Sequence, residues 1–172
     1  MKKLLLLLPL VALFTFVGCK KIDRLLTFTV DVMQEVQIPG YVGGAQLAPV
    51  TVRTKSEDSF RNNKTTRDKV KDVLLDKFVL TITEPAGSNF DFLQKLELYI
   101  STNANNKILL ASIDNVPQGV NTLTLVPTKA RLDEYLKSET YDLTSVATTV
   151  GFNFTTFKVR SDATFKVTAD PL

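Results

Sequence analysis

From residue 26 onward the chain alternates. Phe28, Val30 and Val32 take turns with Thr27, Thr29 and Asp31. A period of two predicts a strand with one buried face. Val36 and Ile38 continue the apolar face after a break at residues 33–35, so the first strand is expected over 26–38. Pro39-Gly40 is a turn signal. Residues 41–49, with Gly43-Gly44 and Pro49, read as a loop, and 50–54 as a short second strand. Residues 73–83 are apolar and β-branched, with Phe78, Leu80 and Ile82 on one face, and predict a central strand. Leu96, Leu98 and Ile100 oppose Glu97, Tyr99 and Ser101. A run of asparagines at 103, 105 and 106 then makes a tight connection, and 107–114 returns as the hairpin partner. Leu123 and Leu125 alternate with Thr122 and Thr124 in a strand over 120–126. Residues 141–149 predict another strand. A final pair is expected at 152–159 and 163–169, joined around Arg160-Ser161-Asp162.

The period changes in three places. In the polar stretch 56–72, Ser56 can cap a short helix, with Glu57 and Asp58 in its first turn. Phe60 would be its buried anchor and Asn62-Asn63 its end. Residues 89–93 predict one helical turn, with Phe90, Phe92 and Leu93 plugging one end of the core. Leu132, Tyr135 and Leu136 fall at i, i+3 and i+4, the spacing of a short amphipathic helix. Turn signals at 84–87 and 115–119 complete the count. Many short strands with frequent turns and no long helices predict an all-β antiparallel β-sandwich, immunoglobulin- or fibronectin III-like in architecture. Two or three short helical turns interrupt it. A β-barrel is the second choice. Immunoglobulin sequence markers are missing, since the chain has a single cysteine and no tryptophan.

The first twenty residues follow another pattern. Lys2 and Lys3 form a positive head, Leu4 to Val17 is apolar apart from Pro9 and Thr15, and Gly18 precedes Cys19. That order is the plan of an export signal. The apolar run is shorter than the roughly 18 residues a membrane-crossing helix needs. Phe16-Val17-Gly18-Cys19 resembles the lipobox of bacterial lipoproteins, usually Leu-(Ala/Ser/Val)-(Gly/Ala)-Cys. Phe16 departs from the usual aliphatic residue, and aromatics there occur in lipoproteins of the Bacteroidota. The resemblance implies cleavage between Gly18 and Cys19, diacylglycerol on the Cys19 sulfur, and N-acylation, with palmitate-like chains holding the protein to a membrane. An ordinary secretory signal and an uncleaved N-terminal anchor are the alternatives. Lys20 stands where an aspartate would resemble the inner-membrane retention signal of enteric bacteria, which leans toward the outer membrane of the cell envelope. On this reading residues 1–18 are the signal peptide, 19–25 the lipidated cysteine and a short tether, and 26–172 one β-domain. Two or more acyl chains hold stably where one holds weakly.

Charge and composition remove other classes. Two of the 21 basic residues lie in the leader, leaving the rest nearly balanced against 18 acidic ones. A near-neutral domain gives no electrostatic reason to bind nucleic acid. With no histidine and one cysteine, a Cys/His zinc site, a disulfide framework and histidine or cysteine catalysis are excluded. No phosphate loop follows Gly43-Gly44. The carboxylates Glu84, Asp91, Asp114 and Asp133 fall at turns and helix starts, where acids are structural. No cofactor and no catalytic or metal-binding residue is expected. The basic cluster Arg53, Lys55, Arg61, Lys64, Arg67, Lys69 and Lys71 is either a patch for anionic headgroups or acidic glycans, or a solvated face. The face is preferred. Tyr99, opposite Leu98 and Ile100, reads as an outer-face residue rather than a sugar platform. Phe90, Phe92, Phe152, Phe154 and Phe157 either line an apolar ligand cavity or fill an ordinary core, and the filled core is preferred. The expected function is a non-enzymatic binding or structural module of the envelope, meeting a protein or glycan partner. The alternative is a carrier of a lipid or other apolar ligand.

Overall fold

The computed structural model describes residues 25–42, 49–153 and 155–172. Gly18, Cys19 and the rest of the proposed signal and tether up to residue 24 lie outside the described residues, as do Phe154 and most of the expected loop at 41–49.

Among the described residues, ten strands and two short helices follow one another: β1 (Leu26–Ile38), β2 (Tyr41–Val42), β3 (Val50–Arg53), α1 (Ser56–Asn62), β4 (Val70–Glu84), β5 (Leu93–Ser101), β6 (Ile108–Ile113), β7 (Thr122–Pro127), α2 (Asp133–Lys137), β8 (Thr140–Thr149), β9 (Phe152–Asn153) and β10 (Phe157–Ala169). A 3₁₀ turn at Arg67–Lys69 leads into β4. Eight strands form one sheet in the order β1-β10-β4-β7-β6-β5-β8-β3, and β2 pairs with β9. Every pairing is antiparallel.

The all-β antiparallel class follows from the alternation. The strands join in a single, nearly closed, barrel-like sheet. It curls because β8 and β10, far apart in strand order, face each other across the core. Tyr141 of β8 meets Phe165 of β10 edge-on, with centroids 6.4 Å apart. Phe92 stacks on Phe157 of β10 at 5.0 Å. Between these regions the sheet is thin: β6 and β7 share only the pairs Ala111↔Pro127 and Ser112↔Val126.

Several local expectations change. Residues 33–35 do not break β1, which runs unbroken for 13 residues. Gln34 keeps the inward phase of Val30, Val32 and Val36, while Met33 and Glu35 stand outside. The expected turn at Arg160-Ser161-Asp162 is the middle of β10. Arg160 and Asp162 share the outer face, joined by a 2.9 Å ion pair, and Ser161 is buried between them. Nothing there forces a turn, since neither Gly nor Pro intervenes. In β4 the inward phase shifts from Val73 and Leu75 to Phe78, Leu80 and Ile82. A β-bulge around Asp76 causes the shift: Leu75 pairs with Phe165 and Lys77 with Thr164, so one residue is left over.

The helices close one end. Phe60 is fully buried and edge-on to Phe28 at 6.3 Å. Ser56 does not cap α1. Lys55 holds that position, and Ser56 is buried in the first turn, where its hydroxyl donates to the Leu136 carbonyl at 2.7 Å. The site is buried, and a hydroxyl there must find a partner, so it ties α1 to the end of α2. Residues 89–93 form hydrogen-bonded turns rather than helix, with the Leu93 amide donating to the Phe90 carbonyl at 2.8 Å. Leu132, Tyr135 and Leu136 are buried as their spacing predicts.

The end of α1 is a Schellman motif. The Thr65 amide donates to the Phe60 carbonyl and the Lys64 amide to the Arg61 carbonyl, both at 3.0 Å. Such an end places its C′ residue in the left-handed region, where glycine is usual. Here Lys64 occupies it at φ 54°, a conformation costing a side-chain-bearing residue roughly 1–2 kcal/mol. Lys64→Gly is therefore expected to stabilise the fold by about 0.5–1 kcal/mol in denaturant melts, after the entropy that glycine loses is offset. An unchanged or lowered midpoint would show that the backbone relaxes at no cost.

Candidate functional site

The inward faces of β1, β4, β5, β8 and β10 do not fill the whole interior. They enclose a cavity of about 310 Å³, near the lower limit of small-molecule sites, roughly 300 Å³. Leu80, Leu96, Leu98, Leu143 and Val159 supply much of its wall. Phe90 and Phe92 close one side, and Phe78 reaches it from β4. Exposed Gln37, Pro39 and Pro49 also line it, so it opens where β1 ends and β3 begins. These are the two outer strands of the sheet. The cavity lies at the seam that a fully closed barrel would not have.

No charged side chain lines the cavity among the described residues. Its polar members are Gln34, Gln37, Ser145, Thr149 and Ser161. Ser161 Oγ donates to the Gln34 carbonyl at 3.2 Å. Gln34 Nε2 makes one long bond, 3.3 Å, to the Glu35 carbonyl. The Thr149 hydroxyl is buried with no hydrogen-bond partner, an exception among buried polar groups.

Phe90 and Phe157 belong to the buried core, as preferred, and Phe92 packs against it, while the cavity lies beside them. Phe90 and Phe92 line it. Phe157 is buried beside it, stacked on Phe92. The side chains of Phe152 and Phe154 lie outside the described residues. Sequence reasoning missed Gln34, Ser145 and Ser161. Their signal was available as polar residues on otherwise apolar strand faces.

The other candidates are dispersed. Glu84 pairs with Lys158 at 2.8 Å, Asp114 with Lys95 at 3.1 Å and Asp133 with Arg131 at 3.3 Å. Asp91 accepts the Gly119 amide at 2.5 Å. Each carboxylate serves a different turn or strand end. No three of His, Cys, Asp and Glu among the described residues are grouped to hold a metal. Within the basic cluster, Arg61 pairs with Asp58, Arg67 with Glu57 and Lys71 with Asp170. Tyr99 lies on the outer face, its hydroxyl donating to Glu97 at 3.1 Å, with Lys107 Nζ 5.0 Å from its ring centre. That hydrogen bond raises the Tyr99 pKa, and Lys95 first and Tyr99 second lower that of Glu97.

No helix among the described residues is long and apolar enough to cross a membrane. No protein-family model matches the chain, and no curated protein matches it. Among solved structures it is similar to that of turnip yellow mosaic virus, at 14% identity over 86% of this chain and 96% of the other, with a TM-score of 0.31. The crystal structure of FlhE gives 9% identity, 84% and 97% coverage and a TM-score of 0.30. Desmodium yellow mottle tymovirus gives 10%, 86% and 90%, and 0.28. Scores this low support no statement about fold or function.

Proposed function

We propose that this chain is a lipid-anchored protein of a bacterial cell envelope that carries an apolar ligand in its β-domain. The cavity of about 310 Å³ between the strands carries the reading. Protein interiors are close-packed, with few voids larger than a water. A void this large, walled mainly by leucine, valine and phenylalanine, suits an apolar occupant. The protein acts without catalysis. The lack of histidine, the single cysteine and the dispersed carboxylates support this.

The anchor is the acylated Cys19, reached by cleavage after Gly18, and the membrane is the outer one. The lipobox-like residues 16–19 support this part. Leu26 begins β1, whereas Gln34, Val36, Gln37 and Ile38 line the cavity. At about 3.3 Å per residue, the cavity lies roughly 26–40 Å along the strand from the tether. A protein so held presents its opening away from its own anchor. The sheet is also read as a flattened, sandwich-like wrap, with the two residue pairs between β6 and β7 as its hinge line.

One preparation tests both parts. Cells are fed a clickable fatty acid, and the protein is extracted gently and analysed by mass spectrometry. The expected result is the label on the peptide carrying Cys19, lost in Cys19→Ser, together with a non-covalently bound apolar molecule. Ala147→Phe, which puts a ring into the cavity wall, is expected to remove the bound molecule and leave the Cys19 label. Protein that repeatedly emerges empty would refute the carrier reading in favour of a module with a protein or glycan partner.

A further inference from the structure

Two apolar strand faces are interrupted at the same level. Along β1 the inward series is Phe28, Val30, Val32, Gln34, Val36 and Ile38. Along β10 it is Phe157, Val159, Ser161, Ala163, Phe165 and Val167. The interruptions, Gln34 and Ser161, are direct partners in the ladder. Both line the cavity, and Ser145 of β8 lines it with them. A polar group facing an apolar space loses hydration and needs a partner. The Ser161 hydroxyl donates to the Gln34 backbone carbonyl and the Gln34 side-chain amide to the Glu35 carbonyl, so the two side chains do not bond each other. No lysine, arginine, aspartate or glutamate lines the wall among the described residues.

We infer that the occupant is an uncharged chain carrying one hydrogen-bonding group, a hydroxyl, ester or amide, which sits at the level of Gln34, Ser145 and Ser161. This rests on the proposal that the cavity is a binding site. The amide of Gln34 and the two hydroxyls can each donate or accept, so they suit a neutral group of either polarity. A carboxylate or ammonium would enter without a counter-charge, which an apolar site penalises heavily. The cavity of about 310 Å³ opens at one end, so it suits a short chain whose end reaches the opening, and a chain of about ten carbons is a fitting probe.

The test uses the full acylated chain in nanodiscs, with two photoreactive ten-carbon probes, a primary alcohol and the matching carboxylate. Both are supplied at pH 8 and equal free concentration, and labelled peptides are mapped by mass spectrometry. Alcohol labelling of the peptides bearing Val36, Leu96 or Leu143 is expected to exceed carboxylate labelling at least about tenfold. The Gln34→Leu/Ser161→Ala double variant, its fold checked by circular dichroism, is expected to lower alcohol labelling about tenfold. Labelling by a head-free decyl probe should not change. If the double variant fails to fold, Ser145→Ala on the facing strand serves the same comparison, with a smaller loss expected. Carboxylate labelling equal to or above that of the alcohol would overturn the inference while the carrier reading stands. Loss of the head-free probe along with the alcohol would also overturn it, since a general collapse of the cavity would then explain both. Cavity peptides labelled by none of the three probes would overturn the carrier reading and the inference together.

Discussion

Phe165→Ala is expected to lower the unfolding free energy by about 4 kcal/mol, within the 3–5 kcal/mol typical of emptying a buried phenylalanine site. Phe165 is fully buried on β10. That strand lies between β1 and β4, with Val30 and Leu75 as the ladder partners of Phe165. Its ring also meets Tyr141 from the far wall. The loss therefore removes transfer free energy and a contact that holds the curl of the sheet. The neighbouring backbone is fixed by ladders on both sides, so collapse around the gap is limited. Phe165→Leu keeps most of the volume and should cost less than about 2 kcal/mol. Urea titrations of both variants give the comparison, with the slope expected to stay constant. A loss below 1 kcal/mol for the alanine variant would mean that the two walls are not coupled through this ring.

The second large effect appears in alkali. Burial, followed by the nearby Glu134 carboxylate, pushes the Tyr135 pKa up to about 12, and burial also raises that of Tyr141. A phenol with a raised folded-state pKa binds its proton more tightly folded than unfolded. Its contribution is complete below the ordinary tyrosine value near 10 and is lost as pH rises toward the folded value. Stability is thus expected to hold to about pH 10 and to fall by on the order of 2–3 kcal/mol from Tyr135 by pH 12. Tyr141 adds in the same direction. The structural counterpart is the Tyr135 hydroxyl, which donates to the Asn106 carbonyl at 2.5 Å. Asn106 in turn braces the β5–β6 turn, accepting the Thr102 amide at 2.9 Å. Tyr135→Phe should flatten the slope between pH 10 and 12, as read by melts across that range. An unchanged slope would assign the alkaline loss elsewhere.

Much of this fold is legible locally. The β5–β6 hairpin follows from Leu96, Leu98 and Ile100 on one face and a run of asparagines at the turn. The helix anchors Phe60, Leu132 and Leu136 follow from spacing alone. The Asp76 bulge is not legible, because an inserted residue shows only as a phase change that a longer loop would equally produce. Sheet closure is not legible either, since it depends on which distant strands meet. The most informative misreadings are the expected break at 33–35 and the expected turn at 160–162. In the structure these segments are paired: Met33 with Asp162, Gln34 with Ser161 and Glu35 with Arg160. Polar residues on an inward face look like the end of a strand when each strand is read alone. Placed side by side, they form one rung of the cavity wall. Local rules tend to fail where a functional requirement overrides them, and here both failures fall at the candidate site. Cys19 is the opposite case, where a short local pattern carries the whole inference.

The unbroken pairing of β1 with β10, 13 residues against 13, also fixes how the domain bears a load. Whatever pulls on the segment before Leu26 pulls on the first residue of an outer strand. When the pull runs along the strand axis, the rungs resist together in shear. When it runs across the axis, they open one at a time, beginning at Leu26↔Ala169. On the proposed short tether, the pull would run mostly along the strand. β1 would then be a strap under tension, and the cavity wall at its far end the last part of the strap to feel the strain.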